Sequence, residues 1–140
     1  MSELYRRLYR EAVLGDCLFR RYAAAVVFQN EILGIGHART VDGNKCVICK
    51  RMKKIRKYGE ISEFFEDCDV IHAEICAILD CENKRKLVGA EIYLLGICCD
   101  GMGIYEKAFP CPNCYKVIQY VGITAINVFT NESDFIRYEV

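Results

Sequence analysis

The run CDVIHAEICAIL, Cys68 to Leu79, sets a histidine and a glutamate two positions apart at the head of an otherwise apolar, helix-like segment. Each of these groups needs a partner once it leaves water, so a bare pair would weaken a plain core helix. The apolar repeat predicts a helix beginning near His72. Downstream come a predicted strand EIYLLGI (91–97), a helix from Pro112 to Val121 and a strand TAINVF (124–129). Strands alternating with helices imply an α/β sheet.

Upstream, SELYRRLYREAVL repeats apolar residues three and four apart, which suits a helix capped by Ser2. RYAAAVVFQNEILGIGHA reads as a hairpin about Gln29, Asn30 and Glu31, its first strand apolar enough to be buried on both faces. From Val41 to Asp69 the pattern changes, with six basic residues between Lys50 and Lys57 and then five acidic ones between Glu60 and Asp69. This stretch reads as an excursion from the sheet. With no internal repeat or linker, residues 1–140 read as one domain. The tail TNESDFIRYEV fits either a short helix or an edge strand.

Lys plus Arg and Asp plus Glu both total 19, so no global field is present to hold a nucleic-acid backbone or an anionic membrane. YAAAVVF (22–28), the longest apolar run, is too short to span a bilayer, and the charged opening lacks the apolar region of a secretory leader. A cytoplasmic protein with no membrane partner is expected. Of ten cysteines, four form two C-x-x-C pairs, which favours metal binding over a disulfide framework.

The partner for the opening run lies 39 residues after His72, in PCPNC, Pro110 to Cys114. Proline is tolerated in a first helical turn, so Pro112 places Cys111 and Cys114 on one face at a helix start. The partial positive charge there, together with a cation, favours thiolates. His72, Cys111 and Cys114 thus form a candidate zinc set. Three protein ligands leave a fourth tetrahedral position open, the arrangement of a catalytic zinc, and Glu74 stands beside it without having to bind metal.

H-x-E followed by P-C-x-x-C resembles the signature of the zinc-dependent deaminases. The resemblance implies zinc-bound hydroxide attacking an amidine carbon of a base, with Glu74 shuttling protons and ammonia leaving. DCLFRRYAAAVVFQNEILGIG (16–36), CDVIHAE and AFPCPNC together resemble the deoxycytidylate deaminase family over nearly the whole chain. That family implies a three-layer α/β/α sandwich around a central mixed β-sheet, a pyrimidine nucleotide or nucleoside as substrate, and a homo-oligomer. Ala73 and Pro110, beside the ligands, are expected to border the substrate.

Two departures stand out. Family members usually carry Gly-Tyr-Asn-Gly after the second strand, the asparagine touching the sugar, whereas this chain has GHAR, Gly36 to Arg39. Ala38 cannot make that contact. Arg39 and Thr40 are candidates to replace it, Arg39 through a phosphate, although a solvated loop is the plain alternative. The chain also inserts about a dozen residues, Cys98 to Phe109, before the cysteine pair. Some relatives carry a second, structural zinc, and Cys46, Cys49 and Cys68 match that region, with His37 as a candidate fourth ligand. The alternative is three reduced, buried cysteines and a hydrogen-bonded histidine. Cys17, Cys76, Cys81, Cys98 and Cys99 read as buried apolar side chains, and KRMKKIRK as a solvated face.

Three functions compete. The first is a hydrolytic deaminase of a cytosine nucleotide or nucleoside. The second is an RNA-editing enzyme like the tRNA adenosine deaminases, which zero net charge disfavours. The third is a non-catalytic, zinc-stabilised nucleotide-binding module, against which Glu74 argues, since a purely structural site has no use for an acid two residues from its histidine.

Overall fold

The structure, a computed structural model, describes residues 3–15, 17, 20–41, 70–98 and 103–140. Helix α1 (Glu3–Ala12) leads into β1 (Arg20–Phe28) and β2 (Glu31–His37), followed by short strands β3 (Arg39–Thr40) and β4 (Val70–Ile71). Then come α2 (Ala73–Asp80), a 3-10 turn (Lys84–Leu87), β5 (Glu91–Cys98), β6 (Ile104–Tyr105), α3 (Pro112–Tyr120), β7 (Ala125–Phe129) and β8 (Phe135–Glu139). Ser2, expected as the cap of α1, lies outside the described residues.

The sheet runs β2-β1-β5-β7-β8. Its β5–β7 pair is parallel and its other ladders are antiparallel, so the sheet is mixed as expected. β7 covers one edge of β5 over Glu91 to Leu94, and β6 pairs at Gly96 and Ile97. The inserted segment therefore adds a strand to the sheet. Gln29 and Asn30 both take positive φ, 49° and 64°, giving a two-residue hairpin turn of the kind that matches strand twist. Glu31 belongs to β2 rather than to the turn.

Ala23 to Val26 are all buried, because α1 covers one face of β1 and α2 the other. On the α1 side, Leu8 and Ala12 pack with Ala23, Ala25, Leu95 and Phe129. On the other side, Ala77, Ile78 and Ile118 pack with Ala24, Val26, Ile92 and Ile126. Each fully buried large aliphatic contributes about 1.5–3 kcal/mol to this three-layer sandwich. The tail resolves as an edge strand. Asn131 accepts hydrogen bonds from the amides of Ser133 and Asp134, turning the chain so that β8 returns along β7.

Helix α2 sits unusually close to β2. A Cβ on Gly34 would lie 2.3 Å from the Ala77 carbonyl oxygen, and one on Gly36 would lie 2.7 Å from the Cys76 Cβ. Only hydrogen fits at these two positions. At the far end of α2, Asp80 Oδ2 accepts from the Ile35 amide at 3.0 Å, which ties the helix to the open edge of β2. That link fixes the C-terminal end of α2, while Gly36 brings β2 up against Cys76 nearer the helix N-terminus. The chain leaves at Val41 and re-enters at Val70 on the paired strands β3 and β4, so the excursion starts and ends beside that N-terminus. Residues 42–69 lie outside the described residues.

Candidate metal centre and its cavity

His72 caps α2 and Cys111 caps α3, and neither side chain makes a capping hydrogen bond. Usual caps turn back to a first-turn amide; these turn toward each other. His72 Nδ1 stands 3.5 Å from Cys111 Sγ and 3.3 Å from Cys114 Sγ. Zinc bonds of about 2.3 Å to sulfur and about 2.05 Å to nitrogen, at a tetrahedral angle, would set that separation at about 3.6 Å. The three donor atoms lie within 4.8 Å of one another, a grouping that could hold a metal ion, and both nitrogen–sulfur separations suit zinc.

The electrostatics agree with that fit. Burial pushes the Cys114 thiol far above its ordinary range, and the charges of Glu74 and Cys111 push it further. Holding a thiolate in so unfavourable a place calls for a cation. Glu74, in the first turn of α2, is only 7% exposed. Burial raises its carboxyl above the usual carboxylate range, opposed by its own backbone amide, by His72 and by a hydrogen bond from Cys114. A buried carboxyl beside the metal ligands is placed to take and return a proton.

Beside these residues opens a cavity of about 240 Å³. His72, Ala73, Glu74, Cys111 and Pro112 line its metal end, and Arg20, Tyr22, Tyr105 and Lys107 are also in its wall. In the sheet, Gly96 is paired with Tyr22 on one side and Tyr105 on the other. A Cβ on Gly96 would fall 3.0 Å from the Tyr22 ring and 3.1 Å from the Ala108 Cβ. The missing side chain leaves room for the two tyrosines, whose rings meet edge to face at 6.3 Å.

Ala73 lies in the cavity wall, whereas Pro110 is buried and is not among the lining residues. Ala38 lines the cavity, but Arg39 and Thr40 do not. Neighbouring residues of an extended chain face opposite ways, so the position next to Ala38 turns from the cavity. Arg39 is exposed and its side chain reaches Cys76 instead, while Thr40 is buried. His37 Nδ1 pairs with the Glu11 carboxylate, joining β2 to α1. That pairing is the hydrogen-bonded alternative for His37. Cys46, Cys49 and Cys68, the other proposed ligands of a second zinc, lie outside the described residues, as does Cys99. Of the remaining cysteines, Cys81 is buried as expected, whereas Cys17, Cys76 and Cys98 are only partly buried.

Residues 2–130 match the family described as the cytidine and deoxycytidylate deaminase zinc-binding region. No curated protein matches the sequence. Among solved structures, the dCMP deaminase of cyanophage S-TIM5, in complex with dCMP and dUMP, superposes with a TM-score of 0.59 at 19% identity, covering 91% of this chain and 82% of that one. Its apo form gives 0.55 at 18% identity, covering 95% and 90%. A mutant cytidine deaminase from Mycobacterium tuberculosis gives 0.50 at 13% identity, covering 95% and 86%. These likenesses bear out the fold. With His72, Glu74, Cys111 and Cys114 all inside the matched span, the chain belongs to the cytidine and deoxycytidylate deaminase family of zinc-dependent hydrolytic deaminases.

Proposed function

We propose that this domain, residues 1–140, deaminates the cytosine ring of a monomeric nucleoside or nucleotide. The observation that carries the reading is the meeting of the His72, Cys111 and Cys114 donor atoms within 4.8 Å of one another, with the buried Glu74 carboxyl beside Cys114, all but Cys114 opening on one cavity. Zinc, when bound, supplies Lewis acidity that activates water for attack at neutral pH. Glu74 takes one proton from that water and passes it to the ring nitrogen as the new C–O bond forms at the amidine carbon. It then carries the second to the amino group as the C–N bond breaks. The ring is left with a carbonyl, ammonia departs, and Glu74 returns to its starting state.

Tyr22, Tyr105 and Phe109 give the cavity the aromatic walls that a flat base fills well. The relatives of like fold include a dCMP deaminase bound to dCMP and dUMP, which accords with a pyrimidine ligand. No disulfide joins the described cysteines, and no helix among the described residues is long and apolar enough to cross a membrane. Among the described residues strand β8 is an edge of the sheet, and its exposed Phe135, Ile136 and Tyr138 offer a surface that supports assembly with further copies of the chain.

A screen of ammonia release across free bases, nucleosides, nucleotides and a folded RNA tests the substrate class. Turnover of a cytosine nucleoside or nucleotide is expected. Activity confined to the RNA would favour an editing enzyme, and zinc-loaded protein that releases ammonia from nothing would favour a binding module.

A further inference from the structure

We propose that Tyr138, on the last strand, is a positioning residue for the cavity: its ring holds the Phe109 ring in the wall, so that the substrate meets a preformed aromatic surface. This rests on the deaminase reading above and gives β8, which carries no metal ligand, a part in substrate binding.

Phe109 ends the inserted segment and lines the cavity. Its neighbours in sequence, Ala108 and Pro110, are both buried, which fixes the backbone on either side, while Phe109 itself is 44% exposed. A side chain so exposed has several rotamers open to it. Two rings narrow that choice. Tyr138 meets Phe109 edge to face, with centroids 4.9 Å apart at 72°, and Tyr115 of α3 lies tilted against it at 6.0 Å. The Tyr138 contact is the closest ring pair among the described residues, in an arrangement that ring quadrupoles favour.

The sheet brings Tyr138 to that place. In the β7–β8 ladder it stands opposite Ile126, which is buried in the core on the α2 side. Strand alternation then sets Ile136 and Tyr138 on that face, and Phe135, Arg137 and Glu139 on the other. The contacts agree, for Phe135 packs on Tyr93 and Phe129, which belong to the α1 side. Because β8 is exposed at all five positions, core burial gives no reason for an aromatic at 138. Contact with a cavity residue does.

A ring fixed before the substrate arrives need not be ordered on binding. Phe109 is neither a metal ligand nor a proton carrier, so its placement acts on substrate and transition state alike. Loss of such an interaction raises KM and leaves kcat in place.

The test measures kcat and KM for the best cytosine monomer, with zinc content and melting temperature, in the parent and five variants. Tyr138→Ala should raise KM about three- to tenfold, the scale of one edge-to-face aromatic pair, with kcat and zinc kept. Tyr138→Phe retains the ring and should match the parent. Ile136→Ala, on the same face of β8 and similarly exposed, should match it too. In the Phe109→Ala background, adding Tyr138→Ala should raise KM no further, since the two residues act through one contact. Calorimetric binding of dUMP should weaken by the same factors, a readout that does not depend on turnover. If Tyr138→Ala fails to fold, Tyr138→Leu keeps the bulk without the ring and carries the comparison. An unchanged KM, an equal rise in Ile136→Ala, or a full further rise on top of Phe109→Ala would overturn the positioning role and leave the deaminase reading standing. Failure of the parent to release ammonia from any monomer would instead strike the deaminase reading, with dUMP affinity still deciding on Tyr138. A parent that also binds no dUMP would overturn both.

Discussion

Glu74→Gln is expected to abolish deamination, by about 10²–10⁴-fold, while zinc stays bound and the fold is kept. The substitution preserves shape and removes the group that carries protons between water, ring nitrogen and leaving amine. His72, Cys111 and Cys114, whose donor atoms meet within 4.8 Å of one another, are untouched. Because burial already raises the Glu74 carboxyl, a neutral isostere adds no buried charge, and the melting temperature should hold or rise. Metal content, melting temperature and rate are measured on the same preparation. A variant that deaminates near the parental rate would show that Glu74 is not the proton carrier.

Gly34→Ala should be the most damaging change outside the cavity. The added Cβ would sit 2.3 Å from the Ala77 carbonyl oxygen and 2.7 Å from the Cys81 Sγ, so the backbone of α2 must move away from β2. Overpacking of this kind costs about 1–3 kcal/mol in stability. The effect on rate should be larger than that figure implies, because α2 carries both His72 and Glu74 at its N-terminus, and catalytic geometry tolerates little displacement. Thermal melting and ammonia release follow the two effects separately. Parental values for both would mean that α2 does not depend on its close seat over β2.

The metal centre was legible in the sequence because its chemistry is local at each end. Pro112 fixes the helix start that carries Cys111 and Cys114, and the apolar periodicity after His72 fixes the other, so joining two helix N-termini places the ligands. The sheet was legible for a similar reason: Ala23 to Val26 read as a strand buried on both faces, and the structure buries each of them. The cavity wall was not legible. Arg20, Tyr22, Tyr105 and Lys107 are spread over 88 positions and meet only because β5 pairs β1 on one side and β6 on the other, a register that no short motif records. Arg39 drew attention through its place beside Ala38, but strand alternation turns the adjacent residue away. The tail stayed ambiguous because β8 is exposed at all five positions, leaving no buried face to impose a period.

Removal and return of zinc test the central claim most directly. Protein stripped with a chelator should release no ammonia from its best cytosine substrate, and turnover should return in proportion to the zinc restored, in the parent but not in Cys114→Ser. Undiminished ammonia release from metal-free protein, or equal recovery in Cys114→Ser, would contradict the assignment of His72, Cys111 and Cys114 as the metal centre of a deaminase.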